Sequence, residues 1–338
     1  MHMADALLSA PVGLTMWAAS GGAVAAGTLR LKQEELNEKK LPLMAVSGAF
    51  VFAAQMINFT IPGTGSSGHI GGGILLAALL GGGPALLTIS AVLAIQCLLF
   101  ADGGLLALGC NIFNMGVLPC LVVYPLVFRP LLRRGVTRGR LTLAAVLSAV
   151  AGLQLGAFGV VLETSCSGIT ALPFSTFVLL MQPIHLAIGF VEGLVTAAVL
   201  VFVWQMQPDI LACTAERRPL AADIPVKRVA LVLGALALLT AGGLSLLASS
   251  HPDGLEWSIE RVTGSTELEP EAANTDALHT LSAGVQEAAA LLPDYETSPG
   301  EGTGTAGVIG VAATFALAGA CGWGILALKK HKKRAGPR

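Results

Sequence analysis

The sequence predicts an all-α fold: a polytopic membrane helical bundle with a seven-helix core and two further transmembrane helices. Three observations carry that prediction. Hydrophobic residues make up 54% of the 338 and charged residues only 12%, against about 25% charged in soluble domains. Mean hydropathy is +0.74. Apolar runs of span length recur down the chain, and nearly all Lys and Arg fall between them in four short segments.

Spans are expected at 7–29, 42–61, 71–83, 84–100, 105–128, 141–162, 174–204, 229–248 and 306–328. The first ends in small residues, as a secretory signal does. Nothing basic precedes it, so it is read as a retained span with its N-terminus outside. Runs 71–83 and 84–100 are separated because Gly81-Gly82-Gly83-Pro84 breaks a helix. Each is short for a span and is expected to pack inside the bundle. Lys and Arg decide the count. With nine spans, segments 30–41, 129–140, 205–228 and 329–338 are interior and hold 19 of the 20 basic residues; only Arg261 lies outside. Fusing 71–100 into one span would put Arg129–Arg140 and Arg217–Arg228 on the wrong face. The expected location is the cell (inner, cytoplasmic) membrane, with multiple passes and the C-terminus inside.

The chain divides into a membrane core at 1–210, a cytoplasmic linker at 211–228 and a two-span unit at 229–338. An outer loop of that unit, 249–305, carries 11 acidic residues and one basic residue. Such a loop concentrates cations near the surface; a solvated linker is the alternative of equal weight. It is expected to have little core of its own beyond a short amphipathic helix over Leu278–Leu292. Six cysteines show no CxxC spacing and are read as small packing residues, not as a disulfide framework.

Candidate chemistry begins at His2. The Met1 amine, the His2 amide nitrogen and the His2 Nδ1 can close fused five- and six-membered chelate rings on one metal ion. Three nitrogens then lie in a plane with one position open, which suits Ni(II) or Cu(II). An ordinary His at a chain end is the alternative. Under nine spans the 62–70 loop lies on the same outer face. It reads Pro62-Gly63-Thr64-Gly65-Ser66-Ser67-Gly68-His69, and its glycines permit close backbone approach. His69 there is a candidate fourth nitrogen.

The ordered series Met1-His2, Gly63-Thr64-Gly65-Ser66-Ser67-Gly68-His69, Asp102-Gly103-Gly104-Leu105, Leu108-Gly109-Cys110-Asn111-Ile112-Phe113-Asn114-Met115-Gly116 and His185-Leu186-Ala187-Ile188-Gly189-Phe190-Val191-Glu192-Gly193-Leu194 resembles the CbiM/NikM family. These are substrate-binding membrane subunits of nickel and cobalt energy-coupling factor (ECF) transporters. Pro252-Asp253-Gly254-Leu255-Glu256 resembles the extra two-span component, CbiN/NikN-like, fused in many nickel systems. The resemblance implies that the N-terminus inserts into the bundle and that Met1, His2 and His69 bind the transported ion, Ni2+ or alternatively Co2+, with no other cofactor. The start departs from the family's Met-His-Ile-Pro-Asp-Gly: Met3, Ala4 and Ala6 replace Ile, Pro and Gly, while Asp5 is kept.

Other polar residues at membrane depth are candidates because they are costly there. Ser67 sits beside His69. Asp102 either orients a ligand His or caps a helix beginning at Gly103 or Gly104, with the cap preferred. Asn111 and Asn114, three apart, are expected to share a helix face and to hydrogen-bond between helices. His185 and Glu192, seven apart, are read as a structural network beneath the metal site. Met1, Met3 and Met16 either line a soft entry path or fill space. Small residues every four positions in the first span form a docking face or pack within the bundle.

There is no GxxxxGK[ST] loop, so ATP hydrolysis is assigned to separate ATPases (CbiO/NikO-like) acting through a coupling membrane subunit (CbiQ/NikQ-like). The lipid bilayer is the remaining partner, and nucleic acid is not one. The competing class, a metal-dependent membrane enzyme, needs HExxH, GxSxG or an open coordination position; the two motifs are absent and four nitrogens fill a square plane. A sensing receptor would need a cytoplasmic output domain, and the longest interior segment is 205–228.

Overall fold

The computed structural model describes residues 2–30, 36–221, 223–266, 268, 276–296 and 303–334. Met1, Lys32, Glu267, Glu269, Glu271, Glu301 and Arg338, which entered the sequence reading, lie outside the described residues.

Twelve helices are described, joined in part by short 3-10 turns. They are α1 Ala10–Arg30, α2 Lys40–Gln55, α3 Gly73–Leu80, α4 Gly82–Phe100, α5 Leu108–Leu132, α6 Arg138–Ser167, α7 Phe174–Met206, α8 Pro208–Ala215, α9 Val226–Gly242, α10 Gly254–Thr263, α11 Ala277–Ala289 and α12 Thr303–Arg334. Stretches within α1, α4, α5, α6, α7 and α12 are long and apolar enough to cross a membrane. Helix α2 is shorter but apolar, and α3 has every residue buried. The break between α3 and α4 falls where the sequence puts it: Gly81 takes φ +88 and starts α4 immediately, a backbone angle that favours glycine.

Four expectations need correction. The 42–61 run is not one helix. Helix α2 ends at Gln55, and Phe59–Ile61 pairs antiparallel with Ser66–Gly68, Phe59 opposite Gly68. The strand-prone Phe59-Thr60-Ile61 meets Pro62 and the positive-φ Gly63 and Gly65, which turn the chain back as a hairpin. No helix starts at Gly103 or Gly104; the chain runs irregularly to Leu108, so Asp102 caps nothing. Within α5, Phe113–Phe128 forms a wide π-helix containing Pro119 and Pro125. Proline lacks the donor for a regular ladder and favours such departures. Asn111 and Asn114, both in α5, bond different partners, Met3 and Glu163.

The fourth correction concerns the outer loop, where the expected helix over Leu278–Leu292 is present at Ala277–Ala289 but is not alone. It contains two capped helices. Asp253 caps α10 by accepting from the Leu255 and Glu256 amides, with Glu256 returning the bond, and Asp276 caps α11 by accepting from the Leu278 and His279 amides. Helix α10 buries Leu255 and Ile259 and packs on α7. Helix α11 reaches the N-terminal segment and α4: His279 Nε2 lies 2.8 Å from the Leu8 carbonyl, and Gln286 donates to the Gly103 and Cys97 carbonyls. Helices α9 and α12 both pack along α2, which is buried over most of its length. The second unit therefore completes the core instead of trailing from it.

Candidate metal site

The segment before α1 is built into the interior. Met3 is fully buried. Its amide donates to Asn111 Oδ1 at 2.8 Å, its carbonyl accepts from the Gly104 amide at 2.9 Å, and Asn111 Nδ2 donates to the same carbonyl at 3.3 Å. Asp5 then accepts from the Ala107 amide and the Ser282 hydroxyl, both at 2.8 Å. These bonds satisfy a buried backbone that would otherwise be costly. They also fix the direction of the residue before Met3, which is His2. Asn111 is thus a residue of the N-terminal anchor, whereas Asn114 donates to Glu163 on α6 at 2.8 Å and is not part of the site.

His69 arrives from the other side, on the hairpin that ends at Gly68. Gly68 packs against Ile188 so closely that a Cβ would lie 2.6 Å from its side chain, and Gly72 at φ +77 faces Val51. Glu192 on α7 accepts from the Gly71 and Gly72 amides at 2.9 Å each. Gln55 donates to the Gly71 carbonyl and accepts from Gln96, both at 2.9 Å. The loop that carries His69 is therefore held by a carboxylate and an amide pair.

The two imidazoles meet. Their ring centroids are 5.1 Å apart with planes 14° from parallel. His69 Nδ1 donates to the Ile70 carbonyl at 3.0 Å, which places its lone pair on Nε2. His2 Nδ1 lies 3.1 Å from Asp102 Oδ1, and His2 Nε2 is buried with no hydrogen-bond partner. Burial holds His2 below its ordinary pKa and pushes His69 down to about 3. Both rings are neutral near pH 7, the form in which an imidazole binds a metal.

Around the pair lies a cavity of about 480 Å³ lined by His2, His69, Asp102, Asp253, Glu256 and Tyr295 among others. Asp294 adds a fourth carboxyl group, and no Lys or Arg is among the described lining residues. Such a lining attracts cations. The second unit closes one side. The Ser67 amide and hydroxyl donate to the Pro252 and His251 carbonyls at 2.8 and 2.7 Å, and Trp257 donates to the Thr64 carbonyl at 3.0 Å. His185 Nδ1 is bonded to the Met181 carbonyl; its Nε2 is buried without a partner, and a Cβ at Gly254 would lie 3.2 Å from it. The Pro252–Glu256 turn therefore packs closely on His185 and Ile188. His185 and Glu192 act separately, on that turn and on the His69 loop.

Of the sequence candidates, His2, His69, Ser67, Asp102, Asn111, His185 and Glu192 surround or support one site. Met1 lies outside the described residues. Sequence reasoning did not single out Gln55, Gln96 and Tyr295, and it named Asp253 only within the Pro252–Glu256 motif, not as a site residue. The two glutamines are legible as polar residues inside apolar runs, and Asp253 as the first residue of an Asp-x-x-Glu capping box; Tyr295 carries no local signal.

Residues 2–210 match the family described as CbiM, cobalt uptake substrate-specific transmembrane region. The chain belongs to the CbiM family. Its residues 227–327 match the PDGLE domain. The putative fused nickel transport protein NikMN of Archaeoglobus fulgidus is 30% identical over 321 residues, covering 94% of this chain and 96% of that one. The fused nickel transport protein NikMN of Rhodobacter capsulatus is 35% identical over 78% of this chain and 77% of its own length. The cobalt transport protein CbiM of Geobacter sulfurreducens is 29% identical, with 82% of each chain covered. A crystal structure of a truncated transition metal transporter superposes with TM-score 0.54 at 28% identity, covering 61% of this chain and 99% of that one. This CbiM-family chain is a multi-pass membrane component of transition-metal transport and not an enzyme.

Proposed function

We propose that this CbiM-family protein captures Ni2+ at the outer face of the cell membrane, as the substrate-specific subunit of an ATP-driven ECF transporter. The observation that carries the reading is the stacked, neutral, buried pair His2 and His69, brought together from segments 67 residues apart in sequence. The proposed coordination is square-planar, with the Met1 amine, the His2 amide and Nδ1, and His69 Nε2. Only Nδ1 can close a six-membered ring with the amide of its own residue. In the metal-free chain Nδ1 lies 3.1 Å from Asp102 Oδ1, so chelation requires the ring to turn about its Cβ–Cγ bond and release Nδ1. A metal-bound imidazole commonly donates its other N–H to a carboxylate, and Asp102 fits that role.

Nickel is preferred because square-planar nitrogen sites suit it and because a relative that matches 94% of this chain is named a putative fused nickel transport protein. Cobalt is the second reading, favoured by the relatives named for cobalt. The acidic cavity and loop raise the local cation concentration. The concentration of Lys and Arg in four segments supports an outside N-terminus and inside C-terminus. Without a nucleotide-binding loop, the chain depends on a coupling membrane subunit and separate ATPases for active transport. Isothermal titration of the purified chain with Ni2+ and Co2+ tests the site. Tight binding lost in His2→Ala and in His69→Ala supports it, and unchanged affinity in either variant overturns it.

A further inference from the structure

We propose that Tyr295, carried by the second unit, is a positioning residue for the metal site: its hydroxyl fixes Asp102, and Asp102 fixes the His2 imidazole. The inference rests on the reading of His2 as a ligand and extends it to a residue outside the 2–210 match.

The geometry is a relay of three side chains. The Tyr295 hydroxyl donates to Asp102 Oδ2 at 2.5 Å, and in the metal-free chain Asp102 Oδ1 lies 3.1 Å from His2 Nδ1; with Nδ1 on the metal, the N–H that Asp102 would hold is that of Nε2. Each carboxylate oxygen therefore has its own partner, one on each side. A hydroxyl bonded to a carboxylate at that length is a strong, charge-assisted contact. Without it, Asp102 is free to rotate about its χ2 bond, and the acceptor for the imidazole N–H is no longer held. Burial, with Asp102 beside it, raises the Tyr295 pKa well above its ordinary value, so the hydroxyl keeps its proton and remains a donor.

The second unit is shaped to deliver this hydroxyl. Asp294 and Tyr295 take φ +53 and +61, the left-handed region that residues with a Cβ rarely adopt. Backbone strain of this kind persists only where the surroundings enforce it. Here the Leu292 amide is bonded to the Leu99 carbonyl at 3.0 Å, and the Tyr295 ring stacks on Phe100 with centroids 4.4 Å apart and planes 15° from parallel. Phe100 ends α4 two residues before Asp102. The same end of α4 thus holds both the ring and the carboxylate. The fused unit is in this way a working part of the metal site, acting through an orientation and not through a ligand.

The test is a double-mutant cycle on the full-length chain with Ni2+ as the probe. Tyr295→Phe keeps the stacked ring and removes only the hydroxyl. Loss of such an outer partner weakens metal affinity roughly 10- to 100-fold. The predicted result is a loss of that size in Tyr295→Phe and in Asp102→Asn. Tyr295→Phe should add less than about twofold once Asp102 is already Asn, because coupled residues are non-additive. The d–d absorption bands of the bound nickel should shift in Tyr295→Phe as the imidazole turns, which a merely structural role would not cause. Affinity within about twofold of the parent in Tyr295→Phe, or a full additional loss on the Asp102→Asn background, overturns the proposal. His2→Ala in parallel separates the two readings: nickel binding that survives it condemns the site itself, whereas a silent Tyr295→Phe beside a dead His2→Ala condemns only the relay.

Discussion

Gly104→Ala tests how finely the N-terminal segment is placed, without removing any ligand. The Gly104 amide donates to the Met3 carbonyl at 2.9 Å. A Cβ built at Gly104 would lie 2.5 Å from the Asp5 backbone nitrogen and closer still to the Asp5 carboxyl group. Ordinary contact begins at 3.4 Å, so the segment from Met3 to Asp5 must retreat by about 1 Å. Metal–ligand distances tolerate only about ±0.2 Å. A retreat of that size at the residue adjoining His2 therefore exceeds the tolerance about fivefold. Nickel affinity, measured by titration of the purified chain, is expected to fall by about 10- to 100-fold, as for loss of an outer partner. Gly21→Ala in α1 is the control: a Cβ there meets nothing within 4 Å, so affinity should not change. Equal affinity in Gly104→Ala and the parent would refute the claim that Met3–Asp5 places His2.

Two further predictions follow from the groups around the site. His69 is protonated in the unfolded chain below pH 6.5 but resists protonation when folded, because burial pushes it down to about 3. Stability from this group is complete above the unfolded pKa and is lost as pH falls toward the folded one; at pH 5 the loss is about 2 kcal/mol. The melting midpoint of the ligand-free chain should fall between pH 6.5 and 5, and less steeply in His69→Ala; identical slopes would contradict the burial argument. Glu192→Gln replaces one of the two oxygens that accept from Gly71 and Gly72 with a donor. One buried amide is then left unpaired, at about 1–3 kcal/mol. The chain should melt earlier and bind nickel more weakly, and a parent-like melt would show that Glu192 does not hold the loop.

The helices were legible because lipid permits little else. Gly81-Gly82-Gly83-Pro84 announces its break, and the positions of Lys and Arg separate span from loop. His2 and His69 were legible as chemistry, since an imidazole beside an amine and a glycine-rich loop stand out by residue type. Their meeting was expected on one face, but the anchor that produces it was hidden. Asn111 reads as polar glue between helices, and only the fold shows it gripping Met3. The strand pair was missed because Ile57–Ile61 is as apolar as the helix before it, and periodicity over five residues cannot separate the two. The outer loop was read as having little core beyond one short helix because its composition is acidic and small. Its order comes from contacts with no local trace, such as His279 with Leu8, 271 residues apart. Tyr295 is legible only once Phe100 and Asp102 are placed beside it.

The central claim is that the chain's own beginning is part of a nickel site completed by His69. Adding one residue before Met1, with every other residue kept, tests it most directly, because the primary amine moves while His2 and His69 stay. Calorimetric titration with Ni2+ is predicted to lose tight binding in the extended chain while its melting midpoint stays at the parent value. Parent-like nickel affinity in the extended chain would contradict the account.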